Sequence, residues 1–114
     1  MTTTIKHLGR TVDDMSEALD IAHKYAEHLQ PKIHVLGVYL FGSHINGTSD
    51  VNSDIDIAVA SDSFTGDPVD DLTTLLLLKI EVDNRIEPHP FLPADFTNTH
   101  PFAREILETA TRIA

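Results

Sequence analysis

Apolar positions recur along the chain with two periods, and the switches between them lay out its elements. Val12, Met15, Leu19, Ala22, Ala26 and Leu29 follow one another at three- and four-residue steps, the spacing of one helix face. Thr11 is placed to cap that helix, Asp13 and Asp14 suit its first turn, and Pro31 stops it. Val35 to Phe41 is a short apolar run that reads as a buried strand, and Ile55 to Ala60 as a second. Ser61 to Pro68 is a loop, with Asp67 and Pro68 opening a helix that carries Leu72, Leu75, Leu76 and Ile80. Its four consecutive leucines, Leu75 to Leu78, predict burial on most sides. Arg85 to Phe91 reads as a third strand, which Pro88 and Pro90 confine to a sheet edge or shorten. Thr99 or His100 before Pro101 starts a last helix with Phe102, Ile106, Ala110 and Ile113 inward. The order α-β-β-α-β-α, without linker or repeat, predicts one α/β (α+β) domain over residues 1–114, with a short helix possible after Ser43.

Composition narrows the class. An apolar fraction of 41% with 6% aromatics is ordinary for a soluble globular chain of 114 residues. No stretch approaches the roughly 20 apolar residues of a membrane span, and MTTTIKHLGR has no apolar signal core. Absence of cysteine removes disulfides and thiolate metal sites, which makes the cytoplasm the default location. The net charge of −10, from 18 acidic and 8 basic residues, argues against direct nucleic-acid binding; taken alone it reads first as solubility, with a basic partner or a cation-rich site as the functional alternatives.

The chemistry concentrates in YLFGSHINGTSDVNSDIDIAV, residues 39–59. Alternation along the second strand puts Asp54 and Asp56 on one face and Ile55, Ile57 and Val59 on the other. Two carboxylates about 5 Å apart at an effective dielectric near 20 repel by roughly 3 kcal/mol, so something must offset them. A hard divalent cation does so, and Mg²⁺ takes carboxylates together with substrate phosphates. Gly42 ends the first strand where a side chain would block a ligand's approach to the backbone. Ser43 follows at a helical entry whose free N–H groups suit phosphate. Together these residues predict a nucleoside triphosphate site. Asp50-x-Asn52-x-Asp54 also begins like an EF-hand, but Ile55 and Ser61 stand where that loop needs Gly and Glu. Asn46-Gly47, Ser49, Asp50, Asn52 and Ser53 read as turn and solvated loop.

Gly-Ser, ten residues, then Asp-x-Asp between apolar strands resembles the polymerase-β-type nucleotidyltransferase superfamily, and within it the small minimal nucleotidyltransferases (MNT proteins). The resemblance implies a small mixed sheet flanked by helices. It also implies divalent cations (Mg²⁺ or Mn²⁺), ATP as donor, and transfer of a nucleoside monophosphate to an acceptor. On that likeness Gly42, Ser43 and Asn46 contact the triphosphate, and Asp54 and Asp56 hold metal. Glu87, on the third strand, supplies the third carboxylate in preference to Asp83, at the helix end. The family often reads Gly-Ser-x-Ala-Arg-Gly; here Asn46 replaces the Arg, a hydrogen-bonding group without charge. His89, two residues beyond Glu87, and His44, after Ser43, are secondary candidates. His23, His28, Lys79 and Arg85 read as surface residues.

A chain of this size leaves no room for a separate acceptor-binding domain, so the resemblance implies a partner protein. MNT proteins commonly act as antitoxins beside a HEPN-domain toxin, and some attach AMP to it. Two expectations therefore stand: an active nucleotidyltransferase acting on a partner protein, and a catalytically weak nucleotide-binding module that regulates a partner by direct contact.

Overall fold

Alternation along β2 (Ile55–Ser61) divides the molecule into two packed layers. Ile55, Ile57 and Val59 are fully buried, and they pack with Val38 and Leu40 of β1 (Val35–Phe41) and Ile86 of β3 (Ile86–Phe91). Over that face lie α1 (Arg10–Leu29), through Ala18, Ala22, Tyr25 and Leu29, and α2 (Pro68–Lys79), through Leu75. The opposite face carries Ala58 and Phe91 and is covered by Ala103 and Ile106 of α3 (Pro101–Thr109). The structure, a computed structural model, describes residues 10–42 and 54–114, and of residues 10–14 the helical backbone only.

Among the described residues the sheet has four strands, in the order β3-β2-β1-β4, where β4 is Thr111–Arg112. β2 runs antiparallel to β1, with Phe41 opposite Asp56, and parallel to β3, with Asp56 opposite Glu87. β3 is an edge strand, as Pro88 and Pro90 require, because neither can donate to a further ladder. Among the described residues the result is a mixed sheet flanked by three helices, the architecture that the family resemblance implies.

α2 is tied down at its start. The Asp67 carboxylate accepts the N–H groups of Val69 (2.9 Å) and Asp70 (3.3 Å), and Pro68 takes the first turn. The buried Asp71 carboxylate accepts from Thr65 N (2.8 Å), Thr65 Oγ1 (3.1 Å) and Gly66 N (3.0 Å), so the preceding loop is fixed to the helix. Tyr25 Oη donates to the Leu75 carbonyl at 2.7 Å and joins α1 to α2. Burial pushes the Tyr25 hydroxyl well above its usual pKa, so the donor stays protonated.

Several local expectations are corrected. α1 begins at Arg10, so Thr11 lies inside the helix and does not cap it. Of the four consecutive leucines in α2, Leu75 to Leu78, only Leu75 is buried; Leu76 and Leu77 are exposed, because the sheet and α1 cover a single side. α3 is capped by the His100 ring, which accepts from Ala103 N, and it ends at Thr109. Ala103 therefore joins Ile106 inward, whereas Phe102 is 39% exposed. Beyond the helix the chain turns into β4, whose Arg112 pairs with Tyr39, and Ile113 N donates to Val38 O at 2.7 Å. Lys79 is more than a surface cation: its ammonium donates to the carbonyls of Asn84 and Ile86, both at 2.9 Å. The short helix after Ser43 lies outside the described residues.

Candidate active site

Parallel pairing of β2 with β3 builds the site. Asp56 and Glu87 are direct neighbours across the two strands, and His89 lies opposite Ala58, one side-chain step further. Alternation turns Asp54, Asp56 and Ala58 to the α3 side of the sheet, and likewise Glu87, His89 and Phe91. One ligand atom from each of Asp56, Glu87 and His89 lies within 4.8 Å of the others. His89 Nε2 is 3.2 Å from Asp56 Oδ1, and about a quarter of each side chain is exposed. Its ring stands edge-on to Phe41 (centroids 5.1 Å apart) and to Phe102 (5.6 Å), which fixes its direction. Two carboxylates and one imidazole converging at the end of a sheet make a donor set that fits a divalent cation such as Mg²⁺ or Mn²⁺.

Glu87 records the crowding. A hydrogen bond with the Asp54 carboxyl, burial, and the negative charge of Asp56 all raise its pKa above the ordinary carboxylate value, against a smaller opposing pull from His89. Asp54 is exposed and joins the group through Glu87. Asp83 is committed elsewhere. Its carboxylate accepts from the Arg85 backbone N–H (2.8 Å) and guanidinium (3.2 Å), and Arg85 also pairs with Glu17 at 3.1 Å. Burial works against ionisation of Asp83, but these Arg85 contacts outweigh it and hold the carboxyl below its usual range. Of the two carboxylates weighed for third place, Glu87 faces the pair.

Gly42 closes the site from β1. Its backbone has φ +84°, and a Cβ there would collide with the Asp56 carboxylate, with Cγ only 3.1 Å away. The glycine thus makes room for Asp56 itself. Ser43, His44 and Asn46, along with Asp50 and Asn52, lie outside the described residues. His89 is the residue the sequence reading undervalued. Its signal was the two-residue step from Glu87, and what decides its place is the aromatic packing by Phe41 and Phe102, which periodicity does not report.

The profile of the family "Polymerase beta, Nucleotidyltransferase" matches residues 23–114, most of the chain and every element that carries the site. The chain belongs to the polymerase-β nucleotidyltransferase family. Among solved structures it is similar to a candidate nucleotidyltransferase from Sulfolobus solfataricus. The TM-score is 0.65 at 16% identity, over 90% of this chain and 84% of that one, a likeness of fold. No curated protein matches the chain closely enough to count as a relative. Nucleotidyl transfer is therefore the general chemistry of this nucleotidyltransferase domain. No helix among the described residues is long and apolar enough to cross a membrane.

The raised pKa of Glu87 gives a stability test on the metal-free protein. A carboxyl whose folded pKa exceeds its unfolded value of 4.5 binds more protons in the native state. Stability should then fall as pH rises from 4.5 through the raised value, and stay lower at neutral pH. Glu87→Gln keeps a donor toward Asp54 and removes the charge, so urea unfolding should find it more stable than wild type at neutral pH. The difference should vanish below the unfolded pKa. A variant less stable at neutral pH would refute the crowding of like charges at this site.

Proposed function

We propose that the chain is a divalent-cation-dependent nucleotidyltransferase that moves AMP from ATP to a hydroxyl on a partner protein, as the antitoxin of a toxin–antitoxin pair with a HEPN-domain toxin. The observation that supports it most is the convergence of Asp56, Glu87 and His89 on one face of two adjacent parallel strands, with Asp54 joined to Glu87. The other parts of the proposal rest on the sequence resemblance.

Asp54, Asp56 and Glu87 hold the cation, with His89 beside Asp56 as an additional ligand or as a group that orients it. When bound, the cation supplies positive charge to the triphosphate's α-phosphate as negative charge builds there. Gly42, Ser43 and Asn46 receive the phosphates. The acceptor oxygen forms a new bond to the α-phosphorus, the bond from that phosphorus to the β-phosphate oxygen breaks, and pyrophosphate leaves. The acceptor's proton passes to the Glu87 carboxylate. Positioning and charge neutralisation do most of the work in such a transfer.

The test asks first whether a HEPN-domain protein is encoded beside the chain, then incubates that protein with the chain, ATP and Mg²⁺ and follows its intact mass. A mass gain of one adenylyl group, a tyrosine being the expected acceptor, supports transfer. The absence of Arg at position 46 favours a second reading, a nucleotide-binding module that controls its partner by contact. That reading wins where the toxin is inhibited without gaining mass.

A further inference from the structure

The solvent side of α2 is apolar. The helix buries Asp71 and Leu75, and points Val69 (72% exposed), Leu77 (64%) and Ile80 (62%) outward, with Leu72 and Leu76 more than a third exposed between them. At 100° per residue, Val69, Leu76 and Ile80 lie within about 20° of one line, about 140° round from the buried side, with Leu72 and Leu77 flanking them and the exposed Thr73 between Ile80 and Leu77. A solvated helix normally puts its charges there. Here the acids stand to one side of the stripe: Asp70 along the Leu77 flank, Asp67 at the helix start, and Glu81 just past the helix end, its carboxylate 3.6 Å from His28 Nε2. The helix's one cation, Lys79, turns its ammonium back onto the carbonyls of Asn84 and Ile86.

We infer that this face docks an amphipathic helix of a partner protein, one with an apolar stripe bordered by basic residues. A second copy is the poorer occupant. Antiparallel pairing of α2 with itself sets the Asp70 flank against the same flank, between chains that each carry a net charge of −10. A basic border on the occupant turns the same acids into attraction, and the exposed leucines supply the apolar contact of helix-on-helix recognition. α2 covers the Ile55–Ile57–Val59 face of the sheet, whereas Asp56, Glu87 and His89 lie on the α3 side, so the docked helix leaves the carboxylates open. The inference does not depend on the proposed chemistry: loss of docking and loss of transfer are separate results.

Calorimetric titration with a synthetic amphipathic helix of leucine and lysine provides the probe, and the same helix with glutamate for lysine is the control. The lysine helix should bind and the glutamate helix should not. Val69→Gln/Leu77→Gln/Ile80→Gln should weaken binding at least about tenfold. These side chains are exposed, so the unfolding temperature should hold or rise, which separates lost docking from lost folding. Equal binding of the lysine helix by wild type and the triple variant would overturn the inference, since general acidity would then explain it. So would a wild-type dimer that the triple variant dissolves, or binding that appears only when residues 1–9 are removed.

Discussion

Asp56→Asn is expected to abolish the cation-dependent part of thermal stabilisation by ATP and to lower nucleotidyl transfer by about a thousandfold, some 4 kcal/mol of transition-state stabilisation. Asp56 is the residue on which the site converges. It lies opposite Glu87, 3.2 Å from His89 and against the Gly42 backbone. An amide keeps the shape and a hydrogen bond but loses the charge that a divalent cation needs. Ligands that bind only the folded state raise its melting temperature by mass action. Wild type should therefore melt higher with Mn²⁺ or Mg²⁺ and ATP, and Asp56→Asn should not. The measurement is a thermal scan with and without each cation, followed by transfer of α-phosphate label from ATP to protein. An unchanged cation-dependent shift in the variant would remove Asp56 from the metal site.

How far the sequence carried this picture depends on which kind of information each residue needs. β1 and β2 are legible because both faces of each are covered, which leaves continuous apolar runs. Asp54 and Asp56 are legible as a same-face pair because strand alternation is geometric and needs no partner. The start of α2 is legible because Asp67 and Pro68 act on adjacent backbone groups. Glu87 was singled out through the family resemblance, which implies a third carboxylate on a later strand, and the parallel register sets it opposite Asp56.

What escaped depended on neighbours distant in the chain. The leucines of α2 are equally apolar in sequence, but the sheet edge and α1 cover only the side that holds Leu75. Strand β4 is two residues long, too short for any period, and exists because β1 offers it an edge. His89 resembles any strand histidine until Phe41 and Phe102 flank its ring. Asp71 looks like one more acid in a first turn, yet it is the buried acceptor of three hydrogen bonds. Apolarity and spacing state what a residue is able to do, and the fold decides which residues have something to do it with.

Gly42→Ala should destabilise the domain and disable the site in one step. A non-glycine residue in the left-handed region costs roughly 1–2 kcal/mol through contact of Cβ with the backbone. At Gly42, φ is +84°, so that penalty applies in full. A second cost follows from position. The added methyl would overlap the Asp56 carboxylate and force it toward Glu87 and His89, the groups it already crowds. Relief by rotating Asp56 away would take the central carboxylate out of the cluster, and relief by moving the backbone would pull Phe41 from its register with Asp56. Chemical denaturation of metal-free protein should therefore show a loss of about 2–3 kcal/mol, above the left-handed cost alone. The cation-dependent rise in melting temperature should shrink or vanish along with it. Asp56→Ala in the Gly42→Ala background distinguishes the two costs: with the carboxylate removed, the methyl has room, and stability should return to within the left-handed penalty. If Gly42→Ala instead costs nothing beyond that penalty and leaves cation binding intact, the close approach of Gly42 to Asp56 is not what shapes this site.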